Sequence, residues 1–481
     1  MRKEAKQRQW RSIRNTIHPQ RGSAVARLTV KSDTGEETLY ATREGVERQA
    51  SRAIADRYKK ARTAPILEDK RLFADFGYTA NTPAARQVLE GTYNFPEGMD
   101  VYTKLLLQEA HLVYQKMTRF EIEDIISTKE FQLYWRRANE NVQSSASGIH
   151  FGHLKAAGFD KFLASIYAAK LSLASKTGIP LKRWETGLTI LLEKSPGNIS
   201  IDKMRAICLF EADFNYLNKY VFAKQMMDKA FEADIIPPEQ FAKKGSQANQ
   251  GVLASVLFCD ISRTQHKTAA LVSEDLADCF DSVTHTIASI ALQSFKVRVE
   301  MVAMMLTVIQ KMSWHLRTTF GQSETPFGGT TADPSMGIGQ GSTAAPPSFT
   351  SQSTLMMNAY KTLGHGAEMI SAWTGDLFKL AALLFVDDSD LLHSFKEEMS
   401  DDAFLGRVQV ANDDWGGIVK ATGGALKPAK CFWYMMAYKF NKNGTVRLKS
   451  VSELPKTELT IPQANSVKAP IPLKSVNVAE K

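Results

Sequence analysis

The stretch KLAALLFVDDSDLLHSF, residues 379–395, contains two short apolar runs on either side of an acidic turn. Runs this short, interrupted by Asp387 and Asp388, favour two β-strands joined by a tight turn over a single helix. Upstream, an apolar run over residues 268–272 stops at the acidic segment SEDLADCFD, which places Asp275 at the end of another strand. If these strands are neighbours in one sheet, the carboxylates of Asp275 and of the Asp-Asp pair converge.

Converging carboxylates are what two-metal phosphoryl transfer requires. Each Mg²⁺ ion takes one or two protein carboxylates and fills the rest of its shell with water and substrate phosphate. A lone Asp-Asp on a turn is more often a solvated cap. The order of an acid-tipped strand, a Gln-Gly loop that opens into a helix, and an acidic hairpin is far more specific. We therefore predict a Mg²⁺ or Mn²⁺ site at Asp275, Asp387 and Asp388.

The composition is that of an ordinary globular protein, with 44% apolar and 23% charged residues in 481. The formal net charge of +9 and the pI of about 9.1 suit a polyanionic partner without proving one. The N-terminus has no apolar leader segment, and no window is apolar enough for a membrane span. Four widely separated cysteines form no CxxC pair, so we expect a protein of the reducing cell interior, without a membrane. They are Cys208, Cys259, Cys279 and Cys431.

The first 125 or so residues are predicted to be mixed but largely helical. A basic arm over residues 2–14 surrounds Trp10, and it is either a solvated segment or one that touches nucleic acid. Next, LTVKSDTGEETLYAT alternates like a hairpin around Asp33-Thr34-Gly35. Near the other end, Lys442-Asn443-Gly444 is a strong hairpin signal, and the residues from Val451 onward are nearly patternless.

Three segments together resemble the core motifs of the reverse transcriptase family, and of its non-LTR retrotransposon branch in particular. EDLADCFDSV (residues 274–283) looks like the first palm motif, QGSTAAP (340–346) like the second and FVDD (385–388) like the third. The likeness covers roughly residues 140 to 440. It extends to further segments: SSASGIHFGHLKA, WETGLTILLEKSPG, MRAICLFEADFNYLNK, FAKKGSQA and TGGALKPAKC.

The resemblance implies an α/β (α+β) fold of right-hand form, in which a small antiparallel palm sheet is backed by helices. The implied organisation is a helical extension (1–125), a fingers-like region (126–267), a palm interleaved with the fingers (268–440), and a hairpin remnant with an irregular tail (441–481). A full thumb is not recognisable, nor are endonuclease, ribonuclease H or integrase parts. A fragment of a larger polyprotein or a decayed copy would account for this.

The resemblance also implies roles for single residues. Asp275, Asp387 and Asp388 would hold the metal ions, with Asp388 in a supporting role, and Lys430 would protonate the pyrophosphate leaving group. Lys194 and Arg205 would grip the incoming triphosphate, Phe280 would exclude a 2′-hydroxyl, and Gln340 and Gly341 would begin a loop beneath the templating base pair. The implied partners are an RNA template, a DNA primer and dNTPs.

Each role has a simpler rival when its residue is taken alone. Lys194, Arg205 and Lys430 are equally suited to a solvated surface, Phe280 to the core, and Gly341 to an ordinary turn. We expect structural roles for Asp278, Asp281 and Asp390. His150 and His153 form an HxxH without a third ligand, so hydrogen-bonded structural histidines are favoured over zinc ligands.

Two other functions compete with RNA-templated DNA synthesis. An RNA-dependent RNA polymerase is the first, because Asp275 and Asp281 loosely mimic its paired acids. Phe280, which would obstruct a ribose hydroxyl, and the lack of a Gly-Asp-Asp sequence argue against it. The second is a non-catalytic nucleic-acid-binding remnant that keeps the fold without turnover. Intact acids at all three metal positions count against decay.

Overall fold

The computed structural model describes residues 25–32, 35–140, 142, 145–371, 374–462 and 467–474. These residues form a mixed α/β structure of the α+β kind, with antiparallel and mixed sheets among many helices, as the sequence predicts. The basic arm around Trp10 lies outside the described residues.

Helices and strands alternate in groups along the chain. The helices are α1 (Arg43–Arg57), α2 (Pro65–Glu68), α3 (Lys70–Phe76), α4 (Pro83–Glu90), α5 (Val101–Lys116), α6 (Thr128–Arg137), α7 (Phe151–Phe159), α8 (Lys161–Thr177), α9 (Ala212–Asn218), α10 (Met227–Glu232), α11 (Ala248–Gln265), α12 (His285–Ser294), α13 (Val299–Lys311), α14 (Ala345–Thr362) and α15 (Asp401–Ala421). A π-helical segment, Lys219–Met226, joins α9 to α10. The strands are β1 (Leu28–Lys31), β2 (Glu37–Tyr40), β3 (Thr186–Glu193), β4 (Met204–Leu209), β5 (Ala269–Asp275), β6 (Ser313–Thr318), β7 (Gly321–Gln322), β8 (Phe327–Gly328), β9 (Ala367–Ile370), β10 (Leu377–Leu380), β11 (Ala382–Phe385), β12 (Asp388–His393), β13 (Phe432–Met436), β14 (Tyr438–Phe440), β15 (Val446–Leu448), β16 (Thr460–Pro462) and β17 (Lys468–Pro470).

A four-stranded antiparallel sheet holds the predicted acidic strands. Its strand order is β11-β12-β5-β13, so the strand that ends at Asp275 lies in the interior beside the acidic hairpin. Val272 and Leu391 face the main hydrophobic core, whereas Leu271 and Leu392 face a smaller cluster on the other side. Because both faces are covered, these strands are continuous apolar runs instead of alternating ones.

A layer of helices packs into the main hydrophobic core, which one face of this sheet also lines. Every residue of α12 is buried, and α12 packs against α5 and α14, while α14 also packs against α15. The helices α12, α13, α14 and α15 confirm the helical periodicity of the sequence. Gly423, predicted to end the last of them, follows its C-cap residue Thr422 with a φ of 90°.

A second sheet, with strand order β4-β3-β6-β7 and β8 also paired to β6, carries two of the predicted basic residues. Strands β3 and β4 are antiparallel, whereas β3 and β6 are parallel. Lys194 follows the last residue of β3, and Arg205 lies on β4 opposite Leu192. This sheet therefore positions both residues that the sequence assigns to triphosphate binding.

Two predicted hairpins are present. Strands β1 and β2 pair around the first turn, whose residues Asp33 and Thr34 lie outside the described residues, and β14 and β15 pair around Asn443-Gly444. The tail, expected to be irregular, instead contains the paired strands β16 and β17, and β16 packs on α15. Strands of three residues are too short to produce a visible alternation in the sequence.

Helix α11 confirms a predicted helix but has an exposed apolar face. Its residues Val252, Leu253, Val256 and Leu257 are about half exposed or more, with exposed fractions between 49% and 63%. Among the described residues, no helix combines the length and the apolar character needed to cross a bilayer.

Candidate active site

The predicted acidic residues meet at one edge of the four-stranded sheet. The antiparallel register of β12 and β5 places Asp388 directly opposite Asp275. Directly opposite residues in an antiparallel pair have Cβ atoms about 4.5–5.5 Å apart and lie on the same face. Asp387 lies just before Asp388 and is the second residue of the two-residue turn that joins β11 to β12. The structure thus brings together the three residues that the sequence assigns to metal binding.

The hairpin turn contains a strained residue next to Asp387. Val386 has a φ of 58°, in the left-handed region that a β-branched residue rarely occupies. Such a conformation costs on the order of 1–3 kcal/mol and persists only where the surrounding structure enforces it. Paired strands on both sides of the two-residue turn impose this conformation and present Asp387 at its tip.

Electrostatic interactions show that the three carboxylates lie close together. Partial burial raises the pKa of Asp388, and the neighbouring Asp387 and Asp275 raise it further. The buried thiol of Cys279 also has a raised pKa, first from burial and then from Asp387 and other nearby carboxylates. Accumulated negative charge of this kind favours the binding of a cation.

The positively charged side chain of Lys430 lies beside these carboxylates in the structure. Its Nζ lies 2.9 Å from Asp275 Oδ2 and 3.0 Å from Oδ1. The hydrogen bond that Lys430 donates to Asp275 raises the pKa of the lysine, and the charges of Asp387 and Asp388 act in the same direction. The backbone amide of Lys427 donates to the Asp275 carbonyl at 2.9 Å, so the short turn before β13 is fixed on the end of β5.

The donor set fits Mg²⁺ or Mn²⁺ in chemistry and in number. Both ions prefer oxygen ligands, and Mg²⁺ is commonly held by one or two carboxylates together with water and substrate phosphate. Within the described residues, no three His, Cys, Asp or Glu side chains are grouped closely enough to hold a metal ion unaided.

The Gln340–Gly341 loop lies between β4 and the segment that follows Asp275. The Cys208 amide on β4 donates to the carbonyl of Gln340 at 2.6 Å, and a Cβ added at Gly341 would lie 2.1 Å from the Cys208 carbonyl oxygen. Gly341 also has a φ of 120°, so this position requires glycine for two reasons. At the loop's other end, the amide of Ile338 donates to the carbonyl of Phe280 at 2.8 Å.

Asn215, on α9, is a loop-fixing residue that the sequence did not single out. Its side-chain amide donates to the Gly341 carbonyl at 3.2 Å, and its side-chain oxygen accepts from the Thr343 amide at 3.2 Å. The Thr343 hydroxyl donates to the Asn215 carbonyl at 2.6 Å. Helix α9 and the loop are therefore held as one unit.

Phe280 is half-buried between the acidic strand and α14. Its ring meets the ring of Phe349 edge to face, with centroids 6.2 Å apart and planes at 83°. Phe280 lies five residues beyond Asp275, and its carbonyl is fixed by the glycine-rich loop. Its backbone position is therefore tied both to the acidic strand and to the loop.

Basic residues surround Asp278 and Asp281, which follow Asp275. Lys60 pairs with Asp278 at 2.9 Å and, against the effect of partial burial, lowers the pKa of that carboxyl. Asp281 is buried, and burial raises its pKa to about 7, while Arg57, Lys60 and Lys194 lower it. Partial burial lowers the pKa of Lys194, which interacts with Asp278. Asp278 and Asp281 thus have the structural role that we expected for them.

Arg57 and Lys60 were not identified from the sequence. They lie at the end of α1 and just beyond it, about 220 residues before their acidic partners, and no motif or spacing marks them. The first 125 residues, for which the sequence indicates no chemical role, thus supply cations to the surroundings of the site. Arg205 is exposed on β4, and no ion pair of its side chain occurs among the described residues.

The HxxH pair has a structural role. The side chain of His150 accepts from the Gly152 amide at 3.1 Å, and the side chain of His153 accepts from the His150 amide at 3.0 Å. Together these bonds cap the N-terminus of α7. Asp390, two residues beyond Asp388 on the same face of β12, has a pKa raised chiefly by burial.

Comparison with models of known protein families and with curated proteins found no match for this chain.

Proposed function

We propose that this chain is an RNA-templated DNA polymerase of the reverse transcriptase type, with a right-hand fold. In this proposal β5, β11, β12 and β13 are the palm sheet, and β3, β4 and the loops around them belong to the fingers. The substrates are an RNA template, a DNA primer and dNTPs. When bound, Mg²⁺ or Mn²⁺ ions would activate the primer hydroxyl and neutralise phosphate charge.

The observation that carries the proposal is the register that sets Asp388 opposite Asp275. These residues come from segments that are distant in the chain, and both segments match motifs that the resemblance assigns to metal binding. A solvated cap explains an Asp-Asp turn, but it does not explain a third carboxylate aligned with that turn on the neighbouring strand. Carboxylates that converge from separate elements are what two-metal nucleotidyl transfer needs.

The other residues have roles that follow from their positions. Lys430, whose Nζ lies 2.9 Å from Asp275 Oδ2, would donate a proton to the departing pyrophosphate. Lys194, just beyond β3, and Arg205, on β4, would neutralise the triphosphate. The Gln340–Gly341 loop, fixed by Cys208, would support the templating base pair.

The competing RNA polymerase function needs an acid that reads the ribose hydroxyl. Asp281, the residue that would supply it, is buried, with an exposed fraction of 3%, and lies among Arg57, Lys60 and Lys194. A buried side chain is poorly placed to meet a sugar. This observation favours deoxynucleotide chemistry.

Primer extension tests the proposal directly. The purified chain should extend oligo(dT) on poly(rA) with dTTP and Mg²⁺ or Mn²⁺. Asp275→Asn and Asp387→Asn should each reduce extension on the order of 10³-fold or more, because each removes a metal ligand that acts in the transition state. Binding of the primer-template should stay nearly intact.

Asp228→Asn is the matched control, since Asp228 is an exposed aspartate that pairs with Lys244 away from the site. It should leave extension unchanged. Activity that survives both active-site substitutions would show that the metal ligands are assigned wrongly. Tight primer-template binding by a wild-type chain without any extension would favour the non-catalytic remnant.

A further inference from the structure

A cavity of about 590 Å³ lies outside the candidate active site, between α6 and the α9–π segment. Its volume falls within the roughly 300–1,000 Å³ typical of small-ligand sites. Its walls combine aromatic rings with basic side chains, among them Tyr134, Arg137, Tyr216, Lys219, Tyr220 and Lys224. Rings and cations that alternate around one cavity are the arrangement that binds single-stranded nucleic acid, because bases stack on the rings and phosphates meet the cations.

The rings and cations are already arranged as pairs. The ring centroids of Tyr134 and Tyr216 are 4.4 Å apart with planes at 31°, which gives the wall a tilted aromatic surface. Lys219 Nζ lies 5.1 Å from the Tyr134 centroid, and Lys224 Nζ lies 5.1 Å from the Tyr220 centroid. Lys219 and Arg137 are exposed and make no ion pair or hydrogen bond with the described residues. Two cations are thus free to meet a phosphate.

A buried polar group without a partner also lines this cavity. Tyr216 is 3% exposed, and no described residue hydrogen-bonds with its hydroxyl. By contrast, Glu130 at the cavity wall accepts from the Tyr220 hydroxyl at 2.8 Å and from Lys224 at 3.3 Å, which fixes that side of the wall.

The backbone and the neighbouring loop connect this cavity to the candidate active site. Lys219, Tyr220 and Lys224 belong to the π-helical segment Lys219–Met226, a rare backbone form found frequently at functional sites. Tyr216 directly follows Asn215, which holds the Gly341 and Thr343 end of the glycine-rich loop. The residue that fixes the loop and a residue that lines the cavity are thus neighbours on α9.

We infer that this cavity binds an unpaired base and its phosphate from single-stranded RNA, the template strand of the proposed polymerase. That the bound strand is the template rests on the proposed function. That the cavity binds single-stranded RNA does not. A base would stack on Tyr134 in place of the Lys219 ammonium that lies over this ring. Lys219 and Arg137 would neutralise the phosphate.

The test is the binding of a fluorescent oligo(A) RNA of about twelve nucleotides, within the span that single-strand sites cover, measured by anisotropy without metal ions or dNTPs. Tyr134→Ala should weaken binding by at least about fivefold, as expected for the loss of one stacked base, and Tyr134→Phe should restore it. Lys219→Ala should weaken binding and flatten the plot of log affinity against log salt by about 0.7.

Matched controls come from neighbouring residues outside the cavity. Tyr167 is a half-buried tyrosine on α8 with Lys170 over its ring at 4.2 Å, and Lys229 lies on α10, where it pairs with Glu232. Tyr167→Ala and Lys229→Ala should bind the RNA like the wild-type chain. Unchanged affinity in Tyr134→Ala and Lys219→Ala, or equal losses in the two controls, would overturn the inference.

Three further measurements separate the possible results. Adenosine monophosphate that competes as strongly as the oligonucleotide would make this a free-nucleotide site and overturn the proposal of a bound strand. Asp275→Asn should bind the oligonucleotide like the wild-type chain, so the cavity can be confirmed even if primer extension fails. Crosslinking of 4-thiouridine RNA should label α6 or the π segment, and labelling confined to other segments would contradict the inference.

Discussion

Lys430 and Asp275 form an ion pair, with the lysine Nζ 2.9 Å from one carboxylate oxygen and 3.0 Å from the other. Lys430 is largely exposed whereas Asp275 is not, with side-chain exposed fractions of 57% and 14%. Asp275 is held in place by the sheet, so the lysine is the partner that can move. A metal ion that binds Asp275 would displace the ammonium and leave it beside the departing pyrophosphate.

Lys430→Ala should therefore have two separable effects. The rate of extension at saturating dNTP should fall about 10²- to 10³-fold, as for the loss of a general acid. The Mg²⁺ concentration at half-maximal rate should also fall, because no ammonium competes for Asp275. Both are measured by single-nucleotide extension over a Mg²⁺ titration, with Lys442→Ala in the exposed β14–β15 turn as control. A rate that does not change would remove Lys430 from the chemistry.

Lys194→Ala and Arg205→Ala should act on the nucleotide and not on the template. Each should raise the apparent KM for dTTP roughly ten- to hundredfold, the usual range for losing a hydrogen bond to a charged group. The salt dependence of primer-template binding should stay as in the wild-type chain. The neighbouring exposed Lys203 provides the control, Lys203→Ala. If template affinity falls as much as nucleotide affinity, these residues contact the template.

Much of the four-stranded sheet could be predicted because its signals are local. The strand that ends at Asp275 and the hairpin around Asp387 are apolar runs that stop at acids, whereas their pairing was a condition in the sequence and is given by the structure. The Asn443-Gly444 hairpin and the Gly423 helix end are likewise set by single residues with special backbone preferences. Local rules of this kind are visible in one sequence.

The rest depends on contacts between distant segments. Lys60 pairs with Asp278, 218 residues further along the chain, and a lysine that makes this pair looks in sequence like any solvated lysine. Asn215 resembles an ordinary helical asparagine until its contacts with the loop are known. The apolar face of α11 is exposed, yet it has the same helical periodicity as a buried face. Periodicity shows that apolar residues lie on one face of a helix, but it does not show what covers that face.

Stability should depend on pH through buried histidines. His285 is fully buried, is hydrogen-bonded to the Gly337 carbonyl at 2.6 Å, and has a pKa lowered by burial from 6.5 to about 4. The unfolded chain therefore gains a proton below about pH 6.5 that the folded chain does not take up until about pH 4. The contribution of His285 to the free energy of unfolding should fall as the pH drops through this window.

Urea unfolding at neutral pH and at a pH just above the lowered pKa of His285 measures this effect. When the pH is lowered, the midpoint of the wild-type chain should fall relative to that of His285→Gln. Other buried groups add a pH dependence that both chains share, because burial lowers the pKa of His393 to about 3 and raises those of Glu274 and Asp281 to about 8 and about 7. His266→Gln, at an exposed histidine, should leave the pH dependence as it is. An equal fall in His285→Gln and in the wild-type chain would contradict the assignment.

In the proposed polymerase, the choice of sugar would depend on Phe280. Its ring is held edge to face against Phe349, and its backbone is fixed by the bond from Ile338, so the ring has little freedom to withdraw. If the incoming sugar lies on this ring, a 2′-hydroxyl must clash or must shift the α-phosphate out of line. A displacement of about 1 Å can cost roughly 10²-fold in rate.

Phe280→Val should therefore raise incorporation of ribonucleotides relative to deoxynucleotides, by up to about 10²-fold and mainly by rescuing the ribonucleotide. The measurement is kcat/KM for UTP and for dTTP on the same primer-template. Phe395→Val is the matched control, because Phe395 is also half-buried and meets Phe404 edge to face at 5.2 Å. The control should lose stability without changing sugar choice. A wild-type chain that prefers UTP, or a Phe280→Val variant with unchanged preference, would move the function toward RNA synthesis or toward binding alone.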